Sequence, residues 1–372
     1  MLPPYRADHV GSLKRSQQLI AAHQGHDKGN VSDADLRALE DREIIAAIQM
    51  EKDVGIDILS DGELRRGGWT GDFVYAVDGF EAGEPPVKLS WANRPVTGQG
   101  APVAQIIAKP LKQRTRFTKT EVDFLKSHAG GKPWKVTLPA ASYLVSRGYK
   151  HGVTDKVYKT RAEALAAVAK ILNTEIKALI DEGASYVQID NPHYPDYLME
   201  NLQSQWRALG VDPKQALAED IEADNATVAG LKRDNVTVAM HFCRGNGGSA
   251  MWHSEGSYEP IAEQCFGKLN YDRFLLEYDN ERSGGFEPLR FMPKGKMVVL
   301  GLVSTKVSAL ESADLIRRRI DEAAKVMPLE ALALSPQCGF SSTLLGNDIS
   351  PDQQRTKLAL VVDVARKVWG KA

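Results

Sequence analysis

Four side chains with metal-binding chemistry close short apolar runs of this sequence: His241 and Cys243 in TVAMHFC, Glu277 in RFLLEYD and Cys338 in LALSPQCGF. Zn²⁺ is usually held by nitrogen, thiolate and carboxylate donors that separate elements of a rigid scaffold deliver to one point. His241 and Cys243 are two apart, so on a strand they project to the same face, and at its C-terminal end both can reach one ion. Alone, such a pair describes a buried thiol and a satisfied histidine just as well. Cys338 shifts the balance because Ser-Pro-Gln before it and Gly after it are a turn-like setting rather than a packing run. Glu277 shifts it further, since a carboxylate after Phe-Leu-Leu is costly to bury unless it is paired or metal-bound. Cys265, inside the helical run PIAEQCFGKL, reads as a packed thiol.

A scaffold able to gather these residues is legible in the periodicity. Strand-like runs fall at 7–12, 56–63, 134–140, 185–192, 237–243, 274–279, 297–304 and 332–339, and amphipathic helical patterns lie between most of them, notably at 32–55, 161–183, 311–327 and 350–370. Ser32 and Ser350 have the positions of helix N-caps, and Gly55 and Gly183 follow helices as C′ residues. Eight apolar strands alternating with helices predict an α/β fold, a (β/α)₈ TIM barrel, formed by residues 1–372 as a single domain. A doubly wound open sheet is the alternative. Residues 64–133, rich in Gly, Pro and charge, are expected to be a long insertion after the second strand with a small sheet of its own. Residues 244–258, RGNGGSAMWHSEGSY, form a Gly-rich loop directly after Cys243, read either as a moving cover or as an irregular connection.

Composition excludes several classes. The chain has 372 residues, 43% hydrophobic and 26% charged, with 47 basic and 48 acidic side chains giving a net charge of −1. Nothing in that balance favours nucleic acid or an anionic membrane surface as a partner. Three cysteines make no disulfide framework, the N-terminal MLPPYRADHVGSLKRS lacks the pattern of a secretory leader, and no stretch has the length of a membrane helix. A cytoplasmic protein is expected, with homo-oligomer formation left open.

The segments VGS (10–12), SDGE (60–63), QIDNP (188–192), HFC (241–243), LEYDNERS (276–283) and SPQCGF (335–340) together resemble the catalytic half of cobalamin-independent methionine synthase, in the same order and over nearly the whole chain. The resemblance implies a barrel whose C-terminal face binds Zn²⁺ through His241, Cys243, Glu277 and Cys338 and transfers a methyl group to the sulfur of homocysteine. It implies that Asp190 holds the substrate ammonium with help from Glu63, and that Ser12 and its backbone contact the carboxylate. From the residues alone, Asp190 is equally a turn residue before Pro192, Glu63 an ion-pair partner of Arg65 or Arg66, and Ser12 a loop hydroxyl.

Three departures from the full-length enzymes bear on the methyl donor. The resemblance is to the catalytic half alone, so the amino-terminal barrel that helps to hold folate is expected to be absent. KVTLPAASYL (135–144) carries Ala141, with Tyr143 nearby as a substrate contact, where the family presents a tryptophan to the pterin. Lys306, in GLVSTKVS, stands where the family has its proton-donating histidine; His193, Tyr194 and His253 are further candidates for that role. The expected reaction is therefore methylation of homocysteine, or a similar small thiol, from methyltetrahydrofolate or a methylcorrinoid. One alternative is a zinc-dependent alkyltransferase acting on another thiol, like epoxyalkane:coenzyme M transferase. The other is a non-catalytic barrel with a structural metal.

Overall fold

The computed structural model describes residues 3–92, 104–248 and 250–370. Part of the Gly- and Pro-rich run expected to be an insertion, 93–103, and Ser249 of the Gly-rich loop lie outside them. Strands β1 (Val77–Gly83) and β2 (Ala104–Gln113) form an antiparallel pair. Six parallel strands follow in spatial order: β3 (Lys135–Pro139), β4 (Tyr186–Asp190), β5 (Thr237–Phe242), β6 (Arg273–Glu277), β7 (Met297–Val303) and β8 (Leu332–Pro336).

The ring is completed by two short extended segments. Parallel bridges join Ala7 to Leu334 of β8 and Leu59 to Trp134 before β3, and the Asp57 N–H donates to the Ala7 carbonyl between them. The fold is thus an α/β barrel with eight parallel positions, of which the first two, expected as strands at 7–12 and 56–63, are not regular strands. The physical reason is competition for backbone donors. Side chains capture the N–H groups of Ala7 (Asp57), His9 (Asp8), Ser60 (Glu51), Gly62 (Ser60) and Glu63 (Asp61), so no ladder can propagate.

The helices obey their local signals. Ser32 accepts from Asp35 N at the start of the helix Asp33–Val54, and Gly55 ends it in the left-handed region at φ 83°. Ser350 and Gln353 form a reciprocal capping box before the helix Pro351–Trp369. Inside the ring, Tyr5, Val10, Ile58, Tyr186, Ala239, Leu275, Val299 and Ala333 pack as one cluster. Beneath them Asp8 pairs with Lys135 Nζ at 2.9 Å and Arg273 Nη1 at 3.1 Å, all three fully buried. Burial alone would raise the Asp8 carboxyl, but these cations hold it down at about 2. The period of two then dictates what the other end of each strand presents. Tyr186 and Gln188 lead to Asp190, Ala239 to His241, and Arg273 and Leu275 to Glu277.

Candidate metal centre

The strand register puts these terminal residues side by side. Asp190 pairs with His241 across β4 and β5, and Glu277 with Gly301 across β6 and β7. Gly301 leaves room for the chain leaving β8, because a Cβ there would lie 2.7 Å from the Gln337 Cα. Cys338 follows one residue later. As a result one donor atom from each of His241, Cys243, Glu277 and Cys338 lies within 4.8 Å of all the others. His241, Glu277 and Cys338 are buried, and Cys243 is partly exposed.

Each donor is aimed by neighbours. His241 Nδ1 faces the Leu275 carbonyl at 3.2 Å, which assigns the ring proton to that nitrogen and leaves Nε2 buried without a partner among the described residues. Glu277 Oε1 accepts from Arg244 N at 2.7 Å, and Oε2 accepts from Arg282 Nη2 at 2.7 Å. Burial would raise this carboxyl, but Arg282, Lys306 and His241 outweigh it and hold it below the usual range. The Cys243 and Cys338 sulfurs are 3.4 Å apart. The Cys338 thiol is held well below its ordinary value, first by the hydrogen bond from Cys243 and then by His241 against the opposing effect of burial, whereas the same contact pushes Cys243 up. Two thiols, an uncapped imidazole nitrogen and an anionic carboxylate at this spacing fit a tetrahedral divalent ion.

A cavity of about 240 Å³ opens beside the cluster and is lined by Ser12, Glu63, Tyr143, Asp190, His241, Cys243 and Cys338 among others. Asp190 Oδ1 accepts from Gln188 Nε2 at 2.7 Å, and burial pushes its carboxyl up to about 7, with His241 opposing and Glu63 adding to the rise. Glu63 sits at φ 56° in a turn that Glu51 fastens through Ser60; its Oε1 accepts from Thr137 Oγ1 at 2.8 Å. Ser12 Oγ accepts from Ser341 N at 3.4 Å, tying the first segment to the loop after β8. Tyr143 packs against Trp69 with ring centroids 4.7 Å apart.

Lys306, expected to be catalytic, is held by the loop after β5. Its Nζ donates to the Gly245 carbonyl, Asn246 Oδ1 and the Met251 carbonyl at 2.9–3.0 Å, and it is not among the cavity-lining residues. It fastens the Gly-rich loop. Of the other candidates, Tyr194 donates to Asp224 and His193 is locked between Asp196 and Asp220, whereas His253 lines the cavity. Sequence reasoning did not single out Trp69, Trp91 and Arg147 as cavity walls. The one available signal was two tryptophans in an otherwise polar, Gly-rich stretch.

The class defined is that of a parallel α/β barrel with a candidate metal centre of two thiols, an imidazole and a carboxylate at the C-terminal ends of its strands, beside a cavity with two buried carboxyls. The chain belongs to the cobalamin-independent synthase family, whose catalytic-domain model matches residues 6–367. It is 37% identical to YxjG of Bacillus subtilis over 369 residues, covering 99% of this chain and 95% of that one. It is 24% identical to a methionine synthase of Pyrococcus abyssi over 371 residues, covering 98% and 94%. A putative vitamin-B12 independent methionine synthase from Listeria monocytogenes superposes with a TM-score of 0.77 at 29% identity, over 100% of both chains. A B12-independent methionine synthase from Shewanella, in complex with selenomethionine, superposes at 0.73 with 20% identity over 98% and 97%, a likeness of fold. No helix among the described residues is long and apolar enough to cross a membrane.

Proposed function

We propose that this protein transfers a methyl group to the thiol of homocysteine to form methionine, with Zn²⁺ held by His241, Cys243, Glu277 and Cys338. The observation that carries this reading is the convergence of four donor atoms within 4.8 Å beside a cavity that also holds Asp190 and Glu63. Bound there, Zn²⁺ supplies the Lewis acidity that keeps an incoming thiol deprotonated near neutral pH, where a free thiol is mostly protonated.

The chain's own residues do the rest. Asp190 and Glu63, on one side of the cavity, receive the substrate ammonium through charge-assisted hydrogen bonds, and the cation's arrival favours ionisation of an Asp190 carboxyl that burial otherwise holds up. Ser12 meets the carboxylate. Glu277 would be the donor whose charge other groups already balance, since its two oxygens accept from Arg244 N and Arg282. Two buried carboxyls favour an amino-acid thiol over one that lacks an ammonium, which weighs against the epoxyalkane:coenzyme M transferase-like alternative. A cytoplasmic setting suits free thiols.

The test is to measure zinc per chain, and methionine formed from homocysteine with methyltetrahydrofolate and, separately, methylcobalamin. About one zinc per chain and methionine from at least one donor are expected. Stoichiometric zinc without methionine from either donor overturns the reading.

A further inference from the structure

Within the proposed thiol methylation, the cavity wall contains one imidazole that neither the metal cluster nor the amino-acid site uses. We infer that His253 is the proton donor to the leaving nitrogen when the methyl carrier is an N-methyl amine, with Asp196 as its positioning residue. The inference rests on the reading under Proposed function.

The His253 ring is held on three sides. Nδ1 lies 3.1 Å from Asp196 Oδ1 and 2.9 Å from Ser254 Oγ. Trp91 meets the ring edge-on, with centroids 4.9 Å apart. Gly245, at φ 93°, leaves room for it: a Cβ there would stand 2.3 Å from His253 Cδ2. The loop beneath is fixed by His253 N to the Arg244 carbonyl at 3.0 Å, by Ala92 N to the Trp252 carbonyl at 2.8 Å and by Lys306. Asp196 is itself immobile, because Oδ2 accepts from Arg147 Nη2 at 2.6 Å and faces His193 Nδ1 at 3.1 Å, while Ser254 Oγ donates to Oδ1 at 3.2 Å. Burial would raise this carboxyl, yet Arg147 and His253 keep it well below the usual range and therefore anionic.

A carboxylate against Nδ1 puts a proton on that nitrogen and leaves Nε2 to exchange protons. Among the described residues nothing hydrogen-bonds Nε2, and the ring lines the same cavity as Cys243 and Cys338. The other polar groups on that side serve less well. Arg147 does not release a proton, and burial raises the Tyr143 hydroxyl above its ordinary value.

The balance of the step requires such a group. The S–CH₃ bond forms as the C–N bond breaks, and the electron pair goes to nitrogen, which takes the Nε2 proton. The proton shed by the thiol acceptor enters solvent, and solvent returns one to His253. A cobalt carrier keeps the electron pair on the metal and needs no proton.

The test uses the full zinc-loaded chain, comparing wild type with His253→Ala and His253→Gln, and reads the ratio of kcat with 5-methyltetrahydrofolate to kcat with methylcobalamin. The expected result is a fall in that ratio of about 100-fold or more, partly restored in His253→Ala by added imidazole. An unchanged ratio, as a merely structural role would give, overturns the inference, and so does wild type that uses methylcobalamin alone. Wild type silent with both donors is a failure of the proposed methyl transfer itself, seen without any mutation, and the inference falls with it.

Discussion

Cys243 and Cys338 are 95 residues apart in sequence, yet their sulfurs stand 3.4 Å from each other beyond the ends of β5 and β8. At that distance two thiolates repel strongly unless a cation is shared, and the contact between them holds the Cys338 thiol below its ordinary value while pushing the Cys243 thiol up. The pair is stable as two thiolates only around a metal.

Cys338→Ser should therefore lose the ion. Because a first ligand matters more than the outer partners whose loss costs about 10–100-fold in affinity, zinc affinity should drop by more than about 100-fold, with methyl transfer falling in parallel. Competition with a chelator measures it. Full zinc retention with activity lost would give Cys338 a different task.

Asp190→Asn should separate substrate binding from metal binding. Removing one charge-assisted hydrogen bond of about 1.5–3 kcal/mol raises KM for homocysteine about 10–100-fold. Zinc content should not change, since Asp190 is not one of the four converging donors. Metal loss would mean that Asp190 acts on the cluster instead.

Lys306→Met removes three hydrogen bonds that tie the loop after β5 to the loop after β7. A destabilisation of about 2–4 kcal/mol is expected, from buried carbonyls left without a donor. Hydrogen exchange should quicken across 244–254, with zinc still bound at saturating metal. A selective loss of chemistry with unchanged exchange would instead give Lys306 the catalytic role.

Glu51 and His9 set a pH dependence of stability. Their side chains are 3.2 Å apart and fully buried, but they pair as neutral groups: burial pushes Glu51 up to about 8 and His9 down to about 3. Unfolded Glu51 ionises near 4.5, so above that pH the unfolded state gains what the folded state cannot, and stability falls until about pH 8. At about 1.4 kcal/mol per tenfold change in proton affinity, the upper limit is about 5 kcal/mol. Glu51→Gln should remove this alkaline decline, bringing the denaturation midpoint at pH 8 closer to that at pH 5. For His9 the sign reverses, and stability is lost as pH falls from about 6.5 toward 3. An unchanged alkaline slope in Glu51→Gln would show that the carboxyl is already ionised in the fold.

Much of this molecule is local in origin. A period of two along β4, β5 and β6 decided that Asp190, His241, Cys243 and Glu277 face inward at strand ends, and Ser32, Gly55 and Ser350 set helix limits by hydrogen bonds to their own neighbours. Such features depend on residues a few positions apart, so a sequence displays them. What the tertiary structure decided involves partners with no common period. The first two barrel positions give up their ladders to side chains of Asp57 and Glu51, Lys306 becomes a loop fastener, and Trp69, Trp91 and Arg147 become cavity walls. Likewise Asp196, from the turn after β4, meets His253 from the loop after β5. These contacts exist only once a closed ring brings remote loops to one face, and the free energy that selects them is burial and charge compensation there rather than the propensity of any segment.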